Sequence, residues 1–467
     1  MNERVCSAFL LSFLLTFSLA AQDPKPALTA LTNVTLIDGL GGDPSPGMTV
    51  LIEGTAIQAV FRTGDKPLPA GTQAIDLGGH YVIPGMFDTH VHLTNLDLTS
   101  GRARVDHELK RLLYSGVTTI RDLAGDTRLL GAVKRELLLG RIIGPDIHYA
   151  SLMAGHDFMM NDLRVARASA GFRPGQAPWQ MVVGPETEVR TAVARASGTG
   201  ATAIKLYLGI DAPVLRAITE EAHRQGLQVW AHSTVFPLRP MDAVRAGVDV
   251  ISHVGWLPWE DRDLDPSKNV PYTHTDRKSP IPTYDHQLVQ ADSPEMKSLI
   301  AAMAEHGTIL DATYSYVRTP AGALDGSVSR PARPQHITEI MRAVNRAGIP
   351  ISTGTDYFAG EEEPFPAVFR EIEQLVDDGV LTPGEAITAA TLNGARAAGI
   401  EDRNGTIQPG KAADLVVLAK DPTEDIRALR SVVLVIKNGK QYPRTDFSVH
   451  ATGTTPSKTL PAAKPKL

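Results

Sequence analysis

Two histidines one residue apart end an apolar run, in Ile83-Pro84-Gly85-Met86-Phe87-Asp88-Thr89-His90-Val91-His92-Leu93. Side chains alternate faces along a strand, so His90 and His92 would point the same way and could reach one ion. Zinc-type ions favour imidazole nitrogen, and an ion held by few protein groups keeps a position for water. Alone, such a pair is as readily two surface or core histidines. Four further residues add to it, because each closes an apolar β-rich run: Ala203-Ile204-Lys205, Ala231-His232, Ser252-His253 and Gly354-Thr355-Asp356. Singly they have ordinary alternatives. A strand-end His can be a hydrogen-bonded structural residue, an Asp the cap of the next helix, and a Lys a solvated charge. Together they give two histidines, a lysine, two histidines and an aspartate in chain order, a set suited to holding divalent metal.

Such a set needs a scaffold that gathers distant strand ends. After the opening run, candidate strands recur at residues 117–122, 146–151, 201–207, 228–232, 248–253, 307–313 and 349–356. Helical patterns lie between several of them, at 106–115, 186–197, 213–225 and 336–347, and Gly116, Gly226 and Gly348 stand where a helix C-terminus favours glycine. A last helix begins at Thr382-Pro383-Gly384-Glu385, a capping box with proline in the first turn. Strands alternating with helices predict parallel βαβ units. Eight of them predict an α/β fold, a (β/α)8 TIM-type barrel over residues 83–400, whose chemistry sits at the C-terminal ends of its strands. The Pro-rich, charged and aromatic stretch 256–290 has no helical period; following a strand end, it is expected to be a lid or substrate wall.

Residues 22–82 and 401–447 read instead as short β segments punctuated by Gly, Pro and Asp, and are expected to pair into one small β-sandwich domain. At the start, Arg4 precedes an apolar run from Ala8 to Leu19 and then Ala20-Ala21, the pattern of a signal peptide over residues 1–21. An uncleaved anchor is the competing reading, but the run is shorter than the roughly 20 residues a spanning helix needs. The expected location is therefore periplasmic or secreted. The one cysteine, Cys6, lies in that leader, so a processed chain would have no disulfide, thiolate ligand or cysteine nucleophile. Residues 448–467, rich in Thr, Pro, Ala and Lys, are expected to be a disordered tail. The chain has 467 residues, 43% of them hydrophobic and 21% charged, with a net charge of -6 and no dense basic run. That leaves no electrostatic footprint for nucleic acid. A homo-oligomer is expected, of a subunit number the chain does not reveal.

The ordered motifs resemble the amidohydrolase superfamily of metal-dependent barrel hydrolases, especially its imidazolonepropionase-like and Xaa-Pro dipeptidase-like branch. The likeness runs from Pro84-Gly85-Met86-Phe87-Asp88-Thr89-His90-Val91-His92, through Gly116-Val117-Thr118-Thr119-Ile120-Arg121-Asp122 and the four strand ends, to Gly405-Thr406-Ile407-Gln408-Pro409-Gly410-Lys411-Ala412-Ala413-Asp414-Leu415. The resemblance implies two divalent ions. His90, His92 and Asp356 would hold one, His232 and His253 the other, and Lys205 would bridge them once carboxylated on its amine by carbon dioxide. An ammonium cannot ligate a cation, whereas a carbamate offers anionic oxygens. Imidazolonepropionases are one-metal enzymes without this lysine, so Lys205 argues for the two-metal kind. Zinc is the default for mixed nitrogen and oxygen ligands, with manganese and iron as alternatives. Asp356 would be the catalytic base and then acid.

Substrate contacts are less defined by pattern. His156, after the third strand, and Tyr207, two residues past the lysine, could orient a substrate carboxylate or carbonyl, or be structural. Arg121 could pair with a carboxylate, or internally with Asp122 or Asp88. The resulting expectation is an exported hydrolase of a C–N bond in a dipeptide or N-acyl amino acid. Alternatives are a cyclic amide, lactone or phosphoester as substrate, or a barrel that binds a ligand without turnover.

Overall fold

The computed structural model describes residues 27–261, 290–318 and 335–449. Five strands come first: β1 (Leu28–Leu36), β2 (Ser45–Glu53), β3 (Ala56–Arg62), β4 (Gln73–Asp76) and β5 (Tyr81–Pro84). Ten follow: β6 (Met86–Val91), β7 (Val117–Leu123), β8 (Asp146–Ala154), β9 (Gln176–Ala177), β10 (Gln180–Val182), β11 (Ala203–Leu206), β12 (Gln228–His232), β13 (Val250–Ser252), β14 (Ile309–Asp311) and β15 (Ile351–Ser352). The last three are β16 (Leu415–Leu418), β17 (Val432–Lys437) and β18 (Lys440–Pro443).

Strands β6, β7, β8, β11, β12, β13, β14 and β15 pair in that order, all parallel, which is the eight-stranded barrel read from the sequence. The final strand is short because its stretch turns away after Ser352. Backbone hydrogen bonds complete the circuit between the last and first strands: the Thr89 N–H donates to Thr353 O at 2.9 Å and the Asp356 N–H to His90 O at 2.8 Å. Leu123, Ala150, Ala203, Trp230, Val250 and Ile309 pack together as an apolar cluster, one residue from each of six strands. The hairpin of β9 and β10 was not foreseen. Its second strand runs parallel to Leu152–Ala154 of β8, beyond the point where β7 stops pairing at Leu123, and raises the barrel wall there.

The two chain ends form a separate eight-stranded sheet, ordered β18-β17-β16-β5-β1-β2-β3 with β4 also on β1. Strand β16 joins the halves by pairing antiparallel with β5, Val416 opposite Ile83 and Val417 opposite Val82. All four residues of β16 are buried, and they alternate in what they touch. Leu415 and Val417 join Leu31, Val50, Ile52 and Ile436 in a core of the small sheet, while Val416 and Leu418 join the barrel's main core. An uninterrupted apolar run is thus what a strand covered on both faces needs.

Helices occur where the periodicity placed them, at Arg102–Tyr114, Val189–Gly198, Ala212–Arg224 and Gln335–Arg346, and Thr382 caps Pro383–Thr388 with Glu385 in the reciprocal bond. The stretch read as lacking helical period begins as a 3-10 helix, Val254–Asp261. Its remainder, residues 262–289, lies outside the described residues, as do the expected leader at 1–21 and all but the first two residues of the expected tail at 448–467. Among the described residues no helix is long and apolar enough to cross a membrane.

The junction between sheet and barrel is a single residue, Gly85. Its N–H donates to Asp414 O at 2.8 Å, and a Cβ there would lie 2.1 Å from Thr118 Oγ1. Gly85→Ala is therefore expected to lower stability by about 1–3 kcal/mol through overpacking, read as a reduced urea midpoint at unchanged m-value.

Candidate metal centre

Each expected ligand sits at the C-terminal end of a barrel strand, and the structure gathers the histidines and Asp356 into one ring of contacts. His90 is on β6 and His92 just past it; His232 ends β12, and His253 follows β13. The ring centroids of His92 and His90 are 5.2 Å apart, those of His90 and His253 4.8 Å, and those of His253 and His232 4.8 Å. Asp356 Oδ1 lies 2.9 Å from His92 Nε2 and 3.4 Å from His90 Nε2, and its Oδ2 3.9 Å from His253 Nδ1. Ligand atoms of His90, His92 and Asp356 all fall within 4.8 Å of one another. Lys205, buried on β11, donates from Nζ to Ser252 Oγ at 2.7 Å.

Buried carboxylates hold the ligand-bearing backbone in place. Asp88 Oδ1 accepts the N–H groups of His90 and Thr355 at 3.2 Å each, so one side chain fixes both sides of the seam. Asp122 accepts the Leu93 N–H at 2.6 Å and the Gly125 N–H at 2.9 Å, which fastens the chain directly after His92. Asp311, at the end of β14, lies 2.6 Å from His90 Nδ1. With that nitrogen protonated and donating, the Nε2 lone pair is left for an ion, the usual carboxylate–histidine–metal arrangement. His232 Nδ1 faces both the Thr234 carbonyl at 3.1 Å and the Thr234 N–H at 3.2 Å, contacts that hold the ring in place in either tautomer.

The electrostatics favour ligation. Burial lowers the pKa of His90, against the pull of Asp311 and Asp356. Burial, aided by the Lys205 charge, takes His232 down to about 3, and burial with the neighbouring imidazoles takes His253 well below its ordinary value. Burial thus favours the neutral form of each ring, the form with a lone pair to offer an ion. Burial also lowers Lys205 to about 8, opposed by Asp311 and Asp356, so a fraction of its amine is neutral and nucleophilic near neutral pH. For Asp356 burial disfavours the charge, but His90 and the hydrogen bond with His92 outweigh it, and the carboxyl stays well below the usual range. Neutral imidazoles, one ionised carboxylate and one titratable amine, converging at a barrel mouth, form a donor set that fits divalent metal.

The centre opens into a cleft whose far wall is formed by Leu123, Leu152, Phe158 and Tyr207. Of the three candidate substrate contacts, only Tyr207 lines it, its ring 4.7 Å from His232 and 4.6 Å from Phe158. Burial pushes its hydroxyl up to about 12, so it stays protonated and can donate. His156 does not reach the cleft: its side chain is 71% exposed beside Asp157, and Phe158 takes the inward position. Arg121 is also misplaced by the sequence reading. It is buried, bonded to Gln228 Oε1 and Ala398 O at the opposite end of the strands, with its guanidinium over the Trp230 ring, and it bonds neither Asp122 nor Asp88. Sequence reasoning missed Asp311, because the expected strand runs on to Thr313 whereas β14 ends at Asp311.

Comparison with known proteins agrees with this geometry. A profile of the amidohydrolase family matches residues 81–442. The ochratoxinase of Aspergillus niger is 27% identical over 90% of this chain and 88% of its own length. Its crystal structure aligns with a TM-score of 0.66 at 21% identity, covering 90% of this chain and 96% of that one. An imidazolonepropionase of Rhizorhabdus wittichii is 27% identical over 79% of this chain and 87% of its own. The structure of a Xaa-Pro dipeptidase with bound methionine shares the fold, with a TM-score of 0.65 at 22% identity over 89% of this chain and all of that one.

Asp311→Asn removes the carboxylate behind His90 and is expected to weaken metal retention about 10- to 100-fold, measured by chelator competition. Gly354→Ala should do the same with every ligand intact, because its Cβ would lie 2.0 Å from Asp311 Oδ1 and 2.7 Å from His90 Cβ.

Proposed function

The chain belongs to the amidohydrolase family, hydrolases acting on carbon–nitrogen bonds, and from that premise we propose that it cleaves the amide or peptide bond of a dipeptide or N-acyl amino acid outside the cytoplasm. The observation that carries the reading is the convergence of His90, His92 and Asp356 within 4.8 Å of one another, with His253, His232 and the buried Lys205 beside them. The ochratoxinase and dipeptidase likenesses support an amide as the bond broken. Export is part of the same proposal, supported by the apolar run from Ala8 to Leu19 before Ala20-Ala21.

In this reading His90, His92 and Asp356 would hold one divalent ion and His232 and His253 a second, with zinc the default for such ligands and a carboxylated Lys205 between them. The ions would lower the pKa of an attacking water and polarise the scissile carbonyl. The chain's own groups do the rest. Asp356, ionised and aimed into the cleft, accepts the proton of the attacking water at a carboxylate oxygen and returns it to the leaving nitrogen. Tyr207 donates its hydroxyl hydrogen to the substrate from the wall beside His232. Asp311 and Asp88 keep the imidazoles and the carboxylate from shifting as charge moves between them.

Elemental analysis of the purified protein should give close to two ions per chain, and Lys205→Ala should lose them together with activity. Asp356→Asn should lower kcat about 100- to 10,000-fold. A panel of dipeptides, N-acyl amino acids, lactones and aryl phosphotriesters tests the bond type. Turnover is expected on the amides, and turnover confined to esters would sink this reading.

A further inference from the structure

Away from the histidines the cleft changes character. Leu123, Leu152, Phe158, Val165 and Ala168 give it an apolar wall, and beside them stands Arg164, the one cleft-lining cation besides Lys205 among the described residues. Arg164 is held in a fixed plane. Asp162, buried at the start of the helix Leu163–Ala168, accepts from its Nε at 3.1 Å and from its Nη2 at 2.7 Å. The guanidinium also hydrogen-bonds the Tyr207 side chain, whose ring packs on His232. It therefore stands one side chain away from the metal centre, yet the Arg164 side chain is 47% exposed, open to a ligand. Nothing in the bond-breaking chemistry uses it.

We propose that Arg164 binds the free carboxylate of an N-acyl amino acid or dipeptide whose adjoining side chain is apolar, and so decides which amides are cleaved. This rests on the reading of the protein as an amidase. A guanidinium and a carboxylate match in planar geometry and in charge. With the carboxylate at Arg164 and Tyr207, the neighbouring side chain meets Phe158, Val165 and Leu152, and the scissile carbonyl points towards Lys205 and Asp356. A polar side chain on that wall would lose its water without gaining a partner. A carboxamide in place of the carboxylate would forfeit the charge-assisted part of that contact.

The experiment compares N-acetyl-leucine with N-acetyl-leucinamide on the metal-loaded wild type, on Arg164→Gln, which can still bond Asp162, and on Arg164→Lys. Binding is read by calorimetry and turnover by steady-state kinetics, with thermal melts to establish folding. Arg164→Gln should weaken binding of the acid, and raise its KM, by about 10- to 100-fold, with kcat little changed and the carboxamide unaffected. Arg164→Lys should recover part of the loss. Equal affinity of the wild type for acid and carboxamide, or an equal loss on both in Arg164→Gln, overturns the proposal. Acid binding that keeps its dependence on Arg164 while no amide is turned over would sink the amidase reading alone.

Discussion

The seam between the first and last barrel strands is the constraint on which the site depends. Its two backbone bonds, Thr89 to Thr353 and Asp356 to His90, join segments more than 260 residues apart in sequence, as the 264-residue separation of His92 and Asp356 illustrates. Because the peptide of His90 accepts from the peptide of Asp356, closing the barrel and assembling the ligands are one event. The side chains repeat the same tie: Asp88 spans His90 and Thr355, and Thr89 Oγ1 reaches Asp311, Ser352 and the Thr353 carbonyl. A barrel loosened at this seam would lose its chemistry before it lost its shape.

Such a cluster is costly to hold together. Three imidazoles and a lysine are drawn out of water, and the lowered pKa values of His90, His232, His253 and Lys205 record that desolvation. Backbone conformation adds to it. Of the six non-glycine residues with positive φ among the described residues, Ala124, His253, Thr313 and Asp356 follow the ends of barrel strands. Left-handed backbone at such positions costs on the order of 1–3 kcal/mol each. The surrounding apolar core offsets that cost, because strands such as β11 are buried along their whole length.

Much of this was legible in the sequence because each cue was local and repeated. An apolar run ending in a polar residue, followed by a glycine-stopped helix, recurs around the barrel, and asking what stands at each run's end picks out the residues that the structure brings together at its mouth. The failures follow from the same logic. All seven residues of β7 are buried, so no polar alternation showed that Arg121 points away from the mouth. His156 satisfied the strand-end rule, but the short helix His156–Asn161 that starts there turns Phe158 inward in its place. Asp311 stands inside the expected strand rather than at its end, and its importance comes from a neighbour on β6. Asp162 caps, and Arg164 lies in, a six-residue helix with no motif at all.

The interleaving of the two chain ends bears on how this protein comes to be folded. Strand β5 emerges early, but its partner β16 lies more than 300 residues later, and one edge of the N-terminal sheet stays unpaired until then. The barrel likewise stays open until β15 exists. Contacts of such long range make folding slow, and an uncovered edge of Tyr81, Val82 and Ile83 is the kind of surface on which nascent chains associate. The structure thus places its greatest exposure to misassembly in the interval before the C-terminal strands are made, and gives chaperones a physical task.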